Sequence, residues 1–398
     1  MISIADLNKR IVNFLEENMQ VIEIDLTDSV SYILAEDVYA LEDTPQFYKS
    51  TVDGYAVLTQ DTLGASESLP SVLKYQGSIE IGENSTYTLE SGSCVYLNTG
   101  SMLPEGANGV VMIEQTEKVE ATNEVLVFKA LANHENVSIP GTDIAKDQLL
   151  FEKGQLIDER VQAVLASQGV NKINVYQKLE AIIISSGNEL VSYDSQIAMG
   201  QIRDTNVFLI KGLLQKHGIF VKETFLIKDD IETYSAVLKN NKANLYLTSG
   251  GSSQGKEDYT YDVFHALTNN VFCHGLAIKP GKPTIVAAQG NRLYLGLPGN
   301  PVSAYLVLKK TLIASYLAIT KQKLNTTKAL LAHNMAGAPG KDSIILVKIE
   351  ELPNTMLAKP VFYRSSNIIA LSDADGYFVI REGLEGIDEG EEVEVILF

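Results

Sequence analysis

A glycine-rich segment at residues 250–257, GGSSQGKE, is the first stretch whose residue types suggest chemistry. It follows a predicted strand and precedes a predicted helix, and Gly250 and Lys256 have the spacing of a phosphate-binding P-loop. Glu257 stands where a P-loop has the Ser or Thr that holds magnesium, and a carboxylate there repels a triphosphate. We therefore exclude a nucleoside triphosphatase and keep an anion-binding turn, with a simple tight turn as the alternative.

Two further turns have the same character. Residues 279–283, KPGKP, hold Lys279 and Lys282 on a rigid Pro-Gly-Pro frame, which suits an oxyanion in so acidic a protein. Residues 296–303, GLPGNPVS, open a predicted helix that Asn300 or Ser303 could cap, and the first-turn amides would face the same edge of the sheet. A solvated turn and a rigid strand-to-helix connection are the respective alternatives.

Acidic side chains recur at turns. Each one alone is typical of a helix cap or a solvated loop, whereas together they could hold Mg²⁺ opposite an anion-binding turn. The five histidines show no metal-ligand spacing. The carboxylates in question are Asp53, Asp143, Glu189, Asp204, Asp229 and Asp258.

Charge and composition exclude several classes of protein. Fifty acidic and 32 basic side chains give a net charge of −18 over 398 residues, and no basic stretch is visible. We expect neither nucleic acid nor a membrane surface as a partner. Cys94 and Cys273 lie far apart in sequence and make neither a disulfide framework nor a four-thiolate metal site, and the N-terminus lacks a signal-peptide core, so we expect a cytoplasmic protein.

Hydrophobic periodicity predicts a modular chain, helical, then β, then α/β, then β. From residue 179 strands alternate with helices, which implies a parallel sheet with right-handed crossovers. Predicted helices cover 3–19, 28–35, 207–217, 231–238 and 304–318. Predicted strands cover 55–58, 72–75, 86–89, 94–97, 109–113, 124–129, 181–184, 220–227, 244–247, 275–278, 343–349, 356–361, 377–380 and 393–397.

Eight segments, in this order, resemble the molybdopterin molybdenumtransferase (MoeA) family, to which the C-terminal domain of gephyrin is homologous. They span most of the chain, and a chance match of all eight is very improbable. The segments are STVDGYAV at 50–57, TGSMLPEGANGVVMIEQ at 99–115, GTDI at 141–144, SSGNELV at 185–191, GQIRDTN at 200–206, SGGSSQGKEDY at 249–259, AIKPGKP at 277–283 and LPGNPVSA at 297–304.

The resemblance implies a homodimer of four-domain subunits. Residues 1–45 and 138–175 would form a helical linker domain and 46–137 an inserted β domain. Residues 176–322 would form a molybdopterin-binding α/β domain and 323–398 a C-terminal β-barrel. The fold class is therefore multidomain α/β plus β.

The resemblance also implies a reaction and its participants. Adenylylated molybdopterin and molybdate would yield the molybdenum cofactor and AMP with the help of Mg²⁺, and a molybdopterin adenylyltransferase would supply the substrate. Dimerisation would complete the site, since the family places Asp53 and Thr99 across the dimer from the α/β domain.

Site residues follow from the matched positions. Asp53, Glu189, Asp229, Asp258 and Lys279 are the implied catalytic residues, with Glu189 and Asp258 at the metal. The implied binding residues are Thr99, Asp143, Gly250, Gly251, Ser252, Ser253, Lys282, Pro298, Pro301 and Ser303.

The chain departs from the family at three places. Many members have Asp at the position of Asn188, Lys at that of Gly275, and Arg just before Gly141, where this chain has Ser138-Ile139-Pro140. A catalytically weak molybdopterin-binding or scaffold paralogue is therefore the main alternative. An α/β-only enzyme, such as a CinA-like pyrophosphatase or an adenylyltransferase, would lack STVDGYAV and the LPGNP turn.

Overall fold

The structure is a computed structural model that describes residues 1–250, 259–353 and 355–398. Its described residues divide into two compact units. The first contains Met1–Glu36, Lys153–Gln162 and Lys172–Phe398, and the second contains Asp37–Glu152 and Ala163–Asn171. The four domain boundaries given above stay a prediction.

A six-stranded sheet forms the centre of the first unit. The first four strands in the order run parallel to one another, as predicted. The fifth strand pairs antiparallel with the fourth, and the sixth pairs antiparallel with the fifth. The order is Phe220–Ile227, Glu180–Ser186, Leu245–Ser249, Arg292–Leu297, Ile285–Gln289 and Val271–His274.

The antiparallel edge corrects the predicted all-parallel sheet and the predicted strand at 275–278. No helix separates Val271–His274 from Ile285–Gln289, and a parallel pairing needs such a crossover. Of residues 275–278, only Ile278 is in a strand, Ile278–Lys279, which pairs with Asp342–Ser343 instead.

Helices cover both faces of this sheet. Alternate residues of one strand divide between two cores: Ala181 and Ile183 join one, and Ile182 and Ile184 the other. This double burial explains why the strand is apolar throughout. The helices are Asn206–Lys216, Ile231–Asn240, Tyr259–Thr268 and Pro301–Leu308, the last continuing through a π-helical turn, Lys309–Ile313, into Ala314–Ile319.

The helical stretch Pro301–Ile319 is long and apolar enough to cross a membrane by length and composition alone. In this fold 78% of that stretch is buried inside the protein. It is therefore accounted for as a core helix.

The N-terminal helix, Ile4–Asn18, agrees with the prediction and packs into the core of the first unit. Ser3 caps it by accepting the N–H of Asp6 at 3.0 Å. The predicted helix at 28–35 is wrong. Leu26–Asp28 is a 3₁₀ turn, and the buried Ile33–Leu34 pairs with Lys172–Tyr176, which also pairs with Val21–Asp25.

A closed five-stranded β-barrel ends the chain. It closes because Gly376–Ile380 pairs with both Asp342–Leu352 and Glu392–Leu397. Thr326–Leu331 and Thr355–Pro360 complete it. The short helix Ile369–Asp373 and the paired strands Met335–Ala336 and Gly386–Ile387 accompany the barrel.

The second unit is built on another six-stranded sheet. The predicted strand at 86–89 is wrong, because only an isolated bridge from Thr88 to Glu105 forms there. Two short strand pairs accompany this sheet: Lys49–Ser50 pairs with Val137–Ser138, and Val38–Tyr39 pairs with Leu149–Phe151. The helix Glu159–Ser167 has residues in both units. The sheet order is Gly109–Met112, Gly54–Val57, Ser93–Leu97, Ser71–Ile79, Glu124–Val127 and Thr116–Val119.

Lys309, in the π-helical turn, is a buried cation. Its ammonium donates to the Leu397 carbonyl at 3.0 Å and lies 4.5 Å from the ring centroid of Phe398. Burial lowers the pKa of Lys309 from 10.5 to about 8. Between these two values the unfolded chain binds more protons than the folded protein, so this group makes stability rise with pH.

We expect Lys309→Met to remove this pH dependence. The free energy of unfolding of the wild type relative to Lys309→Met should rise between pH 8 and 10, by up to about 1.4 kcal/mol per pH unit. Urea titrations at several pH values measure it, and Lys211→Met, on an exposed helix position, is the control. A wild-type advantage that is constant with pH would contradict the burial of a titrating Lys309.

Candidate active site

A cavity of about 920 Å³ lies at the carboxyl ends of the parallel strands of the first unit. This edge is where open α/β sheets bind ligands. Predicted residues Glu189, Asp229, Gly250, Pro298 and Pro301 line it. The other lining residues are Ser186, Gly187, Leu190, Ile202, Arg203, Asp204, Thr205, Asn206, Ser249, Tyr259, Pro283, Gly299, Asn300, Ser366 and Ile368.

Glu189 is held in a turn that the neighbouring strand end braces. The ammonium of Lys228 donates to the carbonyls of Asn188 and Leu190 at 2.9 and 3.2 Å. Asp229 accepts the N–H of Asn188 on Oδ2 at 3.3 Å. Two consecutive residues after one strand, Lys228 and Asp229, thus hold backbone groups of Asn188 and Leu190, the neighbours of Glu189.

Glu189 and Asp229 are suited to a divalent cation. Oδ1 of Asp229 is buried and has no hydrogen-bond partner among the described residues. Carboxylate oxygens are the ligands that Mg²⁺ prefers, together with waters and substrate phosphates. Within residues 1–250, 259–353 and 355–398, no three His, Cys, Asp or Glu side chains form a metal-binding group, so these described residues would supply at most two side chains of these types to a metal.

Gly250 brings two backbones together. Its φ is +97°, and a Cβ there would lie 2.0 Å from the carbonyl oxygen of Ser186. A Cβ on Gly299 would lie 3.8 Å from the Gly250 Cα, so the Pro298–Asn300 turn lies near Gly250. Only glycine permits the close approach of position 250 to Ser186.

The segment beyond Gly250 carries several predicted residues that lie outside the described part of the chain. They are Gly251, Ser252, Ser253 and Asp258. Their proposed contacts to substrate and metal stay predictions.

The predicted lysines do not line the cavity. Lys279 is exposed on the strand that pairs with the barrel, and Lys282 is half-buried, while the adjacent Pro283 reaches the lining. Ser303 is 3% exposed in the helix that begins at Pro301 and is also absent from the lining. Asn300 takes the N-cap position, with its amide donating to Ser365 Oγ at 3.1 Å.

Asp53, Thr99 and Asp143 lie in the second unit, and all three are exposed. Oδ1 of Asp53 accepts the backbone N–H of Thr99 at 2.6 Å and its hydroxyl at 2.9 Å. These two hydrogen bonds, the backbone one first, lower the pKa of Asp53. Asp53 and Thr99 therefore act as one unit, with Asp53 kept as a carboxylate.

Sequence reasoning missed several lining residues, above all Asn206, Arg203, Tyr259 and Ser366. Asn206 belongs to the matched segment 200–206, and its place at the start of a helix was a usable signal. Ser366 belongs to a segment between barrel strands that carries no motif. Nothing in the sequence pointed to it.

Gly250→Ala should destabilise the first unit, because the new Cβ meets a backbone atom and the positive φ strains any other residue. The melting temperature measures the loss. Gly212→Ala is the matched control: nothing lies within 4 Å of its Cβ position, and a helical Gly→Ala change stabilises by up to about 1 kcal/mol. Equal melting temperatures for the two variants would refute the close approach.

Thr99→Val should raise the pKa of Asp53 toward its usual value, since the hydroxyl bond disappears while the backbone bond stays. A carbon NMR titration of labelled aspartate carboxyls measures this change. Thr116→Val, which removes an exposed hydroxyl bonded to the Ile113 carbonyl, should leave Asp53 unchanged. An unaltered titration in Thr99→Val would mean that the hydroxyl does not stabilise the carboxylate.

Comparison with known proteins supplies the family. Models of the MoeA N-terminal region (domains I and II), of a probable molybdopterin-binding domain and of the MoeA C-terminal region (domain IV) match residues 2–169, 182–318 and 328–398. A molybdopterin molybdenumtransferase from Staphylococcus epidermidis is 30% identical over 100% of this chain and 95% of its own length. The one from Staphylococcus aureus is 29% identical over the same shares.

A solved structure agrees over the whole length. The crystal structure of a molybdopterin biosynthesis MoeA protein from Pyrococcus horikosii has a TM-score of 0.85 and 32% identity, covering 100% of this chain and 99% of that one. The matched segments, the three domain matches and the shared architecture agree, and the chain belongs to the MoeA family.

Proposed function

We propose that this protein inserts molybdate into adenylylated molybdopterin, releasing AMP and forming the molybdenum cofactor. The observation that carries the proposal is the cavity that Glu189 and Asp229 line together with Gly250 and Gly299. Relatives across the whole chain bear the name molybdopterin molybdenumtransferase, which supports the same reaction.

The residues have complementary tasks in this proposal. Backbone N–H groups at the glycine turn would bind phosphate oxygens. Glu189 and Asp229, with Asp258, would hold Mg²⁺, which when bound neutralises phosphate charge next to the leaving AMP. Lys279 and Lys282 would attract the molybdate oxyanion, and Asp53 with Thr99 would orient substrate.

A molybdopterin-binding or scaffold paralogue is the alternative function. Asn188, Gly275 and Ser138 replace charged residues that many relatives of this type carry, as the resemblance indicates. The braced Glu189 and the unpaired Asp229 oxygen favour catalysis, since a scaffold needs neither.

We also propose a cytoplasmic homodimer that receives its substrate from a molybdopterin adenylyltransferase. The support is the family resemblance. Light scattering of the purified protein tests the dimer, and a monomer at working concentration would refute it.

Single-turnover conversion of adenylylated molybdopterin with molybdate and Mg²⁺, followed by AMP release, tests the reaction. We expect molybdate-dependent AMP release from the wild type and a loss of about 100-fold or more in Glu189→Gln, since the metal-facing carboxylate is gone. The half-saturating Mg²⁺ concentration should rise as well.

Glu223→Gln is the control, because Glu223 is exposed on the adjacent strand Phe220–Ile227 and does not line the cavity. It should keep wild-type rates. Tight pterin binding by the wild type without AMP release would support the binding-only paralogue and overturn the insertase.

A further inference from the structure

Asn206 is a buried amide that no predicted role accounts for. It is the first residue of the helix Asn206–Lys216, is 7% exposed and lines the cavity. Its Nδ2 donates to the Gly299 carbonyl at 2.8 Å and to Ser249 Oγ at 3.2 Å.

The partners fix the orientation of this amide. A backbone carbonyl can only accept, so the atom facing the Gly299 oxygen must be Nδ2. Oδ1 of Asn206 then points elsewhere, and it is buried with no partner among the described residues. Both amide hydrogens of Asn206 are thus donated to other groups of the protein. We call this pair of hydrogen bonds, to Gly299 and Ser249, the brace.

This brace joins backbone segments that line the cavity. Ser249 immediately precedes Gly250, and Gly299 is the centre of the Pro298–Asn300 turn. A Cβ built at Gly299 would lie 3.8 Å from the Gly250 Cα, so these two backbone segments lie close together, and Asn206 is hydrogen-bonded to Ser249 on one and to Gly299 on the other. Asn206 therefore links the ends of two adjacent parallel strands at the cavity floor.

We propose that Asn206 is a positioning residue that holds the strand end at Ser249 and Gly250 in register with the Pro298–Asn300 turn and so sets the affinity for the phosphate-bearing pterin substrate. This inference rests on the proposed function. Without the brace, these two described backbone segments must be ordered when the ligand binds, and binding weakens. The bound substrate and the transition state gain equally from ordered turns, so the loss falls on KM.

The chain contains a matched asparagine away from the cavity. Asn8 also donates Nδ2 to a backbone carbonyl, that of Lys310, at 2.9 Å. Its Oδ1 is likewise buried with no partner in the described part of the chain. Asn8 and Asn206 thus make the same kind of hydrogen bond to a backbone carbonyl, but only Asn206 lines the cavity.

The experiment compares Asn206→Leu with Asn8→Leu, since leucine keeps the size of the side chain and adds no charge. Single-turnover AMP release is followed at varied concentrations of adenylylated molybdopterin, with melting temperatures recorded alongside. We expect the half-saturating concentration to rise about tenfold or more in Asn206→Leu with little change in the saturating rate. Asn8→Leu should lower the melting temperature and keep wild-type kinetics.

Equal kinetics for Asn206→Leu and wild type would overturn the proposal, as would equal kinetic losses in both variants. If Asn206→Leu does not fold, Asn206→Ser, which keeps one donor, should give a smaller rise in the same half-saturating concentration. An unchanged half-saturating concentration in Asn206→Ser would then overturn the proposal. A wild type without AMP release would instead overturn the proposed function.

Discussion

The candidate site depends on a close approach of two backbones at neighbouring strand ends. The Gly250 Cα lies where any Cβ would meet the Ser186 carbonyl. Parallel pairing of Glu180–Ser186 with Leu245–Ser249 brings these ends together, and Gly250 has a positive φ. Ser186 and Gly250 both line the cavity, which lies at these strand ends.

The whole protein is strongly acidic, although the proposed ligand of this site is also an anion. The chain carries a net charge of −18, and of the described residues that line the cavity only Arg203 is cationic. Its guanidinium donates to the Ser195 carbonyl. An anionic ligand would therefore be bound by oriented N–H groups and by a cation held on Glu189 and Asp229. Lysine side chains would contribute less to its binding.

Much of this architecture could be predicted from local patterns. The strand at 220–227 and the N-terminal helix were predictable because their apolar periodicity is set by burial on one face. The antiparallel edge at Val271–His274 was not, since an apolar run has the same appearance in either direction. In the site, Gly250 and Glu189 were found by motif, whereas the roles of Asn206 and Lys228 depend on which strand ends become neighbours.

The π-helical turn has a consequence for the order in which the chain can fold. Asn8 of the N-terminal helix donates to the Lys310 carbonyl, and Lys309 donates to the carbonyl of Leu397, next to the last residue. The first unit thus needs residues 1–36 together with the strand Glu392–Leu397, whereas residues 37–152 and 163–171 of the second unit are all synthesised before that strand. On the ribosome the second unit can therefore reach its structure before the first unit has its last strand.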